Sequence, residues 1–489
     1  MKLRLKKFDV AAGRPIVFMD HDDARKMDVN VGDRVEISCG GKKIIGRADI
    51  VEGYVKSGEI LLSEDIVKFI NLKPGVDVNV DLVSKPDSAE FIRKKMNDKE
   101  LNKNEIFSII SDVVNNALTE AEIAQFVVAV YKNGMSHRET IDLTHAMCQT
   151  GTVLKWKSKI VADKHSIGGI AGNRTTPIIV SICAAAGIIM PKTSSRAITS
   201  AAGTADVIET MAKVDFPAKE LQRIVSKVGA CLAWGGSLGL APADDKLIKI
   251  EKILKLDPES QLLASILSKK LSVGSTHVLI DIPYGEGAKV SKKGAEKLGE
   301  RFLWLGKKLG LKIKVIFTLG NQPIGNGIGP ALEMMDVLRV LRRDNPPKDL
   351  ETKALMMAGI LIEMVGKAKN GKGEEMAYKL LESGKALKKF EEIVNTQGRV
   401  RDGLKLAKYN QTVKAEKSGF VKKIDNKEMN NLATIMGCPV DKGTGIYLFK
   451  HIGDKVEKGD DLVTFYAEAK EKLNEALMIF KTKMPIEVK

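Results

Sequence analysis

Asp163-Lys164-His165-Ser166-Ile167-Gly168-Gly169-Ile170-Ala171-Gly172-Asn173-Arg174-Thr175-Thr176-Pro177 is the stretch on which the reading of this chain turns. It follows Lys159-Ile160-Val161-Ala162, a short strand-like segment, and runs into apolar residues that suit a helix. Pro177 fits the first helical position, with Thr176 as its cap. Gly168 and Gly169 let the backbone approach an anion with no Cβ in the way. The helix N-terminus behind them offers unpaired N–H groups and a partial positive charge. Lys164, His165, Ser166 and Thr175 add side-chain donors. A lone glycine pair is usually a structural turn, but this convergence of donors points to an oxyanion, phosphate first.

A second loop has the same grammar. Lys192-Thr193-Ser194-Ser195-Arg196-Ala197-Ile198-Thr199-Ser200-Ala201-Ala202-Gly203-Thr204-Ala205-Asp206 follows the strand-like Ile188-Ile189-Met190 and enters an expected helix over 205–212. Its hydroxyls and Arg196 at a helix start again suit an anion. Two such loops at the ends of neighbouring strands define a crevice, where open α/β sheets bind ligands.

Around these loops, Val278–Ile282 and Val315–Leu319 read as further strands, and 328–342 as a helix. This is α/β grammar with a largely parallel or mixed sheet. Upstream, Thr119-x-x-Glu122 and Ser136-x-x-Glu139 are capping boxes, so residues 87 to about 150 read as short helices. Residues 1–84 contain two segments of one design, Met27–Ile37 and Ile70–Val80, each a turn glycine followed by period-2 alternation. They predict a small all-β domain with internal duplication, which resembles the double-psi β-barrel domains of some archaeal enzymes and ATPases. Near the other end, Gly419–Val421 and Gly453–Val463 resemble the hammerhead repeats of lipoyl and biotinyl carriers. No convincing modifiable lysine sits at a hairpin tip, so a structural β module is expected. The predicted domains are 1–84, 85–158 (joined by about 240–272), 159–409 and 410–489.

With 489 residues, 44% apolar and 29% charged, the chain is globular and long enough for about three domains. Its 78 Lys and Arg against 62 Asp and Glu leave a net charge of +16. That balance suits an anionic partner: nucleic acid, a membrane surface or a phosphorylated small molecule. There is no long basic run, RNP-like aromatic pattern or zinc module, which argues against nucleic acid. The five cysteines (Cys39, Cys148, Cys183, Cys231 and Cys438) form no Cys-x-x-Cys pair, against a disulfide framework or structural zinc. The most apolar run, Ile178–Met190, is too short to span a bilayer, and no signal peptide is seen. A cytoplasmic protein with no membrane partner is expected.

Several motifs now fall in one order. Asp163-Lys164-His165-Ser166-x-Gly168-Gly169, Ser194-x-Arg196 with Thr204, Ala241-Pro242-Ala243-Asp244, Ser265-Ile266-Leu267-Ser268-Lys269-Lys270 and Asn321-Gln322-Pro323-Ile324-Gly325 resemble the thymidine and pyrimidine nucleoside phosphorylases. The resemblance runs from about residue 87 to the C-terminus. It implies a helical domain, a large α/β domain and a C-terminal β-containing portion. The implied reaction is phosphorolysis, with phosphate attacking C1′ and releasing the base; dimers are the usual assembly, and no cofactor or metal beyond the co-substrate phosphate is implied.

The departures from that pattern matter. The family's second loop is rich in glycine, whereas this chain has Ser195, Thr199 and Ser200 in place of Gly, Gly and His. Added hydroxyls make sense if the site holds a second phosphate, on the sugar 5′ carbon. A base-contacting Arg after Ala-Pro-Ala-Asp is also replaced, by Leu247–Lys252 with no Arg. With its extra N-terminal domain the pattern is similar to the archaeal AMP phosphorylases, which convert a nucleoside 5′-monophosphate and phosphate into base and ribose 1,5-bisphosphate. The resemblance then implies nucleotide contacts at Gly169, Ser195, Arg196, Ala197, Ile198, Thr199, Ser200, Thr204, Ser265 and Lys289. Lys164, His165, Ser166, Thr175 and Ser194 are the phosphate candidates, and Lys269 a base contact. A homodimer or larger homo-oligomer is expected.

Asp257 is the implied proton donor to the leaving base. That task needs a raised pKa, which burial would supply. Read from residues alone, Asp257-Pro258-Glu259 is first a helix cap, and the resemblance reverses that preference. His165 is either a phosphate contact or a structural histidine. Two rivals remain: a thymidine or pyrimidine nucleoside phosphorylase, which the altered second loop and missing Arg disfavour, and a phosphoribosyltransferase, which would need Mg²⁺ on an acidic pair.

Overall fold

The structure is a computed structural model that describes residues 1–6, 10–197, 200–400 and 404–489. Ile198 and Thr199, expected among the nucleotide contacts, lie outside the described residues. The chain forms two compact units: Met1–Gly151 with Ala241–Ser268, and Thr152–Leu240 with Lys269–Lys489.

The first unit opens with β1 (Lys2–Leu5), β2 (Ile16–Met19), α1 (His21–Lys26), β3 (Arg34–Cys39), β4 (Lys42–Ile50), β5 (Glu59–Leu62), α2 (Glu64–Ile70) and β6 (Asp77–Leu82). The six strands close into a barrel in the order β1-β5-β2-β4-β3-β6. Its two halves repeat each other. β1 runs parallel to β5 as β4 does to β2, while β2–β5 and β3–β6 pair antiparallel. The duplicated turn glycines, Gly32 and Gly75, have φ of +89° and +83°, where a Cβ is disfavoured. The alternating residues of the quoted segments, Val35 and Ile37 with Val78 and Val80, fill the core.

Next come α3 (Ser88–Met96), α4 (Lys103–Val114), α5 (Glu120–Asn133) and α6 (His137–Gln149). Both expected capping boxes form, and Asn102 with Glu105 makes a third at α4. Arg34 ties the barrel to this bundle. Its guanidinium donates to both oxygens of Glu122, at 2.6 and 2.8 Å, and to the Ala117 carbonyl at 2.7 Å.

In the second unit the chain forms β7 (Ala162–Ser166), α7 (Thr175–Ala185), β8 (Met190–Ser194), α8 (Thr204–Ile208), α9 (Ala218–Val228) and β9 (Ala230–Trp234). It then supplies α10 (Pro242–Leu254) and α11 (Glu259–Ser272), whose Leu247, Ile250 and Ala264 enter the helical core of the first unit. After α11 come β10 (His277–Tyr284), α12 (Lys292–Lys308) and β11 (Lys312–Leu319). β11, β10 and β7 pair in parallel, and so do β8 and β9. A parallel bridge between Val161 and Ile189 joins the two sets beside β7. The ends of β7 and β8, which carry the two quoted loops, are therefore neighbours.

The chain continues through β12 (Gly327–Ile328), α13 (Pro330–Arg342), α14 (Lys348–Met364), α15 (Gly373–Glu382) and α16 (Lys385–Gln397). It ends in β13 (Tyr409–Lys414), β14 (Gly419–Ile424), α17 (Asn426–Met436), β15 (Gly445–Leu448), β16 (Lys455–Val456), β17 (Asp461–Ala467), α18 (Lys470–Lys483) and β18 (Ile486–Val488). β12 completes the sheet β12-β15-β17-β13, so this module shares a sheet with the segment before α13. Its apolar core includes Ala171 and Ala201, one from each quoted loop.

Several boundaries differ from the sequence reading. β7 runs through Ser166, so Lys164, His165 and Ser166 sit on the strand rather than on a loop after it. α7 starts at Thr175 with Arg174 at the cap position. Pro177 is thus the third helical residue, still inside the turn whose N–H groups have no helical acceptor. β8 lies over 190–194 rather than 188–190, and α8 ends at Ile208, four residues before the expected 212. The expected helix from 328 starts at Pro330, because β12 takes Gly327 and Ile328.

Candidate active site

The first loop is shaped by its glycines. Gly168 and Gly169 have φ of +88° and +91°. A Cβ on Gly169 would lie 3.3 Å from both the backbone nitrogen and Cγ of Lys289, so this loop and the turn after β10 meet closely. Gly172, at φ +67°, faces the Ile324 carbonyl oxygen, which a Cβ would approach to 2.4 Å. Any other residue here would be both strained and in collision.

Buried charge lies beneath the loop. The Asp163 carboxylate accepts from Lys270 Nζ at 2.7 Å and faces Lys192 Nζ at 3.5 Å. Burial pushes its pKa up, but the two lysines outweigh that and hold it below the usual carboxylate range. Lys164 Nζ donates to the hydroxyls of Thr175 and Thr176, at 3.0 and 3.1 Å, at the start of α7. Desolvation lowers the Lys164 pKa to about 7 even though Asp281 opposes it. His165 is driven well below its ordinary value by desolvation and then by Lys270, Lys192 and Lys164, so it is neutral at pH 7. Lys353 pairs with Asp281 at 2.9 Å, and Arg174 with Glu333 at 2.6 Å. This buried set brings together Lys192, Lys270, Arg174 and Lys353, with Lys164 about half protonated at pH 7, and the carboxylates Asp163, Asp281, Glu333 and Asp206. Buried charges on this scale are costly unless partners offset them, and an added anion would favour the charged form of Lys164.

The hydroxyls complete the picture. Ser166 Oγ at the end of β7 and Ser194 Oγ at the end of β8 are buried with no hydrogen-bond partner among the described residues, as is Asn173 Oδ1. A buried donor left unmade costs about 1–3 kcal/mol, which an oxyanion between the two serines would recover.

Arg174 joins the two loops. It reaches from the cap of α7 to Thr204 Oγ1 at 2.7 Å and to the Ala202 carbonyl at 2.8 Å, while Glu333 holds its Nε at 2.7 Å. The Thr204 oxygen accepts this bond, which leaves its proton to donate elsewhere. In the sequence Arg174 counts among the polar residues converging for phosphate, with no hint of this bridging role. Its partners lie 28 to 159 residues away, and nothing local signals them. Asp163, Lys192 and Lys270 were passed over for the same reason.

In the second loop the partly exposed Arg196 is ion-paired. It donates to Glu209 at 2.7 and 2.8 Å and to Asp206 at 3.1 Å, and lies over the Trp234 ring at 4.8 Å. The hydrogen bonds from Arg196, followed by those from Lys442, lower the Glu209 pKa to about 2. Asp206 Oδ2 accepts from the backbone N–H groups of Ala197 and Gly203, closing the loop on itself. Ser200 Oγ donates to the Ala202 carbonyl. Ser195 is exposed. Gly203 is needed here for space, since its Cβ would fall 2.4 Å from the Arg196 carbonyl carbon.

The remaining candidates are placed as follows. Lys289 is half-buried beside Gly169. Ser265 and Lys269 are half-buried, one turn apart on α11. Asp257 is exposed, two residues before α11, so this chain does not bury it as the proton-donor reading asks. The residue next to the helix is Pro258, whose carbonyl accepts from Leu262. Among the described residues no group of three or more His, Cys, Asp or Glu side chains could hold a metal ion, and no helix is long and apolar enough to cross a membrane.

A buried cationic floor, two serine hydroxyls and a helix N-terminus at adjacent parallel strand ends are features of the phosphate-binding class of α/β proteins. Family models agree with that class. Residues 89–151 match the helical bundle domain of a glycosyl transferase family, 158–387 its α/β domain, and 420–487 a pyrimidine nucleoside phosphorylase C-terminal domain. The fold is also similar to anthranilate phosphoribosyltransferase from Thermus thermophilus (TM-score 0.52, 17% identity), over 63% of this chain and 99% of that one. Among curated relatives, the AMP phosphorylase of Pyrococcus furiosus is 42% identical, covering 100% of this chain and 98% of its own. That of Thermococcus kodakarensis is 43% identical with the same coverage, and that of Methanococcus aeolicus 40%, over 99% and 97%. The chain belongs to the AMP phosphorylase family.

Proposed function

We propose that this chain catalyses phosphorolysis of nucleoside 5′-monophosphates, converting AMP and phosphate into adenine and ribose 1,5-bisphosphate. CMP and UMP are further substrates on this reading, and the reaction serves nucleotide degradation. The observation that carries it is the pair of hydroxyls, Ser166 and Ser194, with no hydrogen-bond partner among the described residues, at adjacent strand ends beside buried cations. The family's name for its substrate then supplies the nucleotide.

The chemistry follows from charge. Cleaving the N-glycosidic bond develops positive charge on the ribose and negative charge on the base. Phosphate held by Lys164, Ser166, Thr175 and Ser194 lies at C1′ and stabilises the first charge. The second loop, from Ser195 and Arg196 through Ser200 to Thr204, takes the 5′-phosphate, with Arg196 also clamping the loop. Gly169 and Lys289 line the sugar and phosphate, while Ser265 and Lys269 contact the base. Asp257 protonates the leaving base, a role worth about 10²–10⁴-fold in rate. Its exposure in the free chain means that bound substrate must supply the desolvation. Neutral His165 orients its neighbours without donating charge.

The barrel is read as double-psi, the C-terminal module as hammerhead-like, and the enzyme as a cytoplasmic homodimer or larger homo-oligomer needing only phosphate as co-substrate. The test is base release. Purified protein is incubated with AMP, CMP, UMP, adenosine or thymidine, with and without phosphate, and free base is quantified by chromatography. Phosphate-dependent release from AMP with adenosine inert is the expected result. Release from thymidine but not AMP would replace this reading with a nucleoside phosphorylase.

A further inference from the structure

The reaction scheme leaves the C-terminal module without a task, yet that module grips the second loop. Ala201 is buried within the module's apolar core. Its backbone N–H donates to Asn430 Oδ1 at 2.9 Å. Asn430 is buried on α17, and its amide donates to the Asn426 carbonyl at 3.0 Å, which fixes the side chain with its oxygen toward Ala201. Asn426 is itself buried and donates to the Gly320 carbonyl at 3.3 Å. A Cβ on Gly287, in the turn that carries Lys289, would lie 3.4 Å from the Asn426 Cβ. Beyond α17, Lys442 reaches Glu209 at 2.8 Å and Asp206 at 3.7 Å, the two carboxylates that clamp Arg196.

These contacts have an electrostatic logic. Asp206 and Glu209 carry two negative charges, and Arg196 offsets one. Lys442 offsets the other, so the cluster is neutral beside a loop that must accept a dianion. Without Lys442 a net negative charge would face that dianion, more strongly at low salt.

We propose that α17 and Lys442 are positioning elements for the nucleotide: Asn430 fixes the backbone of the second loop through Ala201, and Lys442 keeps its carboxylate clamp neutral. The C-terminal module thereby sets affinity for the 5′-phosphate. This rests on the phosphorolysis reading above.

The test is steady-state kinetics in AMP and in phosphate for Asn430→Ala, Lys442→Met and Lys442→Arg, with thermal melts of each. Asn430→Ala raises KM for AMP about tenfold, the scale of one hydrogen bond, with kcat within about threefold and KM for phosphate within about twofold. Lys442→Met raises KM for AMP about threefold, more at low salt, and Lys442→Arg restores it. Folded Asn430→Ala and Lys442→Met with unchanged KM for AMP overturn the proposal, as does a parallel rise in both KM values. Should Asn430→Ala melt early, the Lys442 pair decides alone. Wild-type protein that releases no base from AMP would instead sink the phosphorolysis reading.

Discussion

The two loops after β7 and β8 occupy equivalent places at neighbouring strand ends, but they are held differently. The first is set by regular structure. Its strand, β7, pairs with β10 and bridges toward β8, and its helix, α7, is buried from Thr175 to Ala184. The second enters a five-residue helix and relies on clamps: Arg174 from the first loop, Asp206 and Glu209 on Arg196, and Asn430 from 229 residues away. A loop fixed by sheet and helix is hard to alter without unfolding its surroundings. A loop fixed by side chains can be retuned one contact at a time.

The largest expected effect breaks the first loop's chemistry while sparing its frame. Lys164→Met lowers kcat/KM about 10²–10³-fold, the usual cost of losing one preorganised donor to an oxyanion. Its melting temperature holds or rises, because a buried cation is replaced by an apolar chain of similar length; kinetics with calorimetry checks both. Gly172→Ala attacks the frame instead. With φ +67° and a carbonyl oxygen at 2.4 Å, it destabilises the protein by about 3 kcal/mol in urea unfolding.

Arg196→Met tests the clamp of the second loop. KM for AMP rises about tenfold while KM for phosphate holds, since the first loop keeps its own supports. A comparable loss of both substrates would mean that the loops are one rigid body and the contrast is false.

The smallest effect is a proton. Free Lys164 titrates near 7, so at pH 8 it is mostly neutral. A bound dianion favours the ammonium form, so phosphate binding at pH 8 takes up about half a proton or more. Calorimetry in buffers of different ionisation enthalpy detects this, and Lys164→Met abolishes it. The same shift has a stability sign. Between pH 7 and 10.5 the unfolded lysine keeps a proton that the folded one has shed, so its burial is costly below pH 7 and that cost fades as pH rises to 10.5.

Much of this was legible because it is local. Capping boxes at Thr119 and Ser136 formed as written, since a cap needs only a residue and its neighbour three places on. The duplicated turn and alternation around Gly32 and Gly75 announced a repeated β unit, and each glycine adopts the left-handed φ its turn requires. The strand and helix ends around the phosphate loops were misplaced by a few residues. Lys164 and Ser166 looked like loop residues because they are polar, but pairing with β10 extends the strand through them.

The sequence by itself determined the sites where an anion is welcome: glycines, hydroxyls and cations clustered ahead of helices, a pattern that acts through short-range sterics and backbone dipoles. Only the tertiary structure decided how those charges are paired. It paired Arg196 with Asp206 and Glu209, set Lys270 on Asp163 across 107 residues, and brought Asn430 to Ala201. The reason is physical: a charged side chain goes where desolvation and Coulomb attraction balance, and that balance depends on partners which chain folding, rather than sequence spacing, brings within reach.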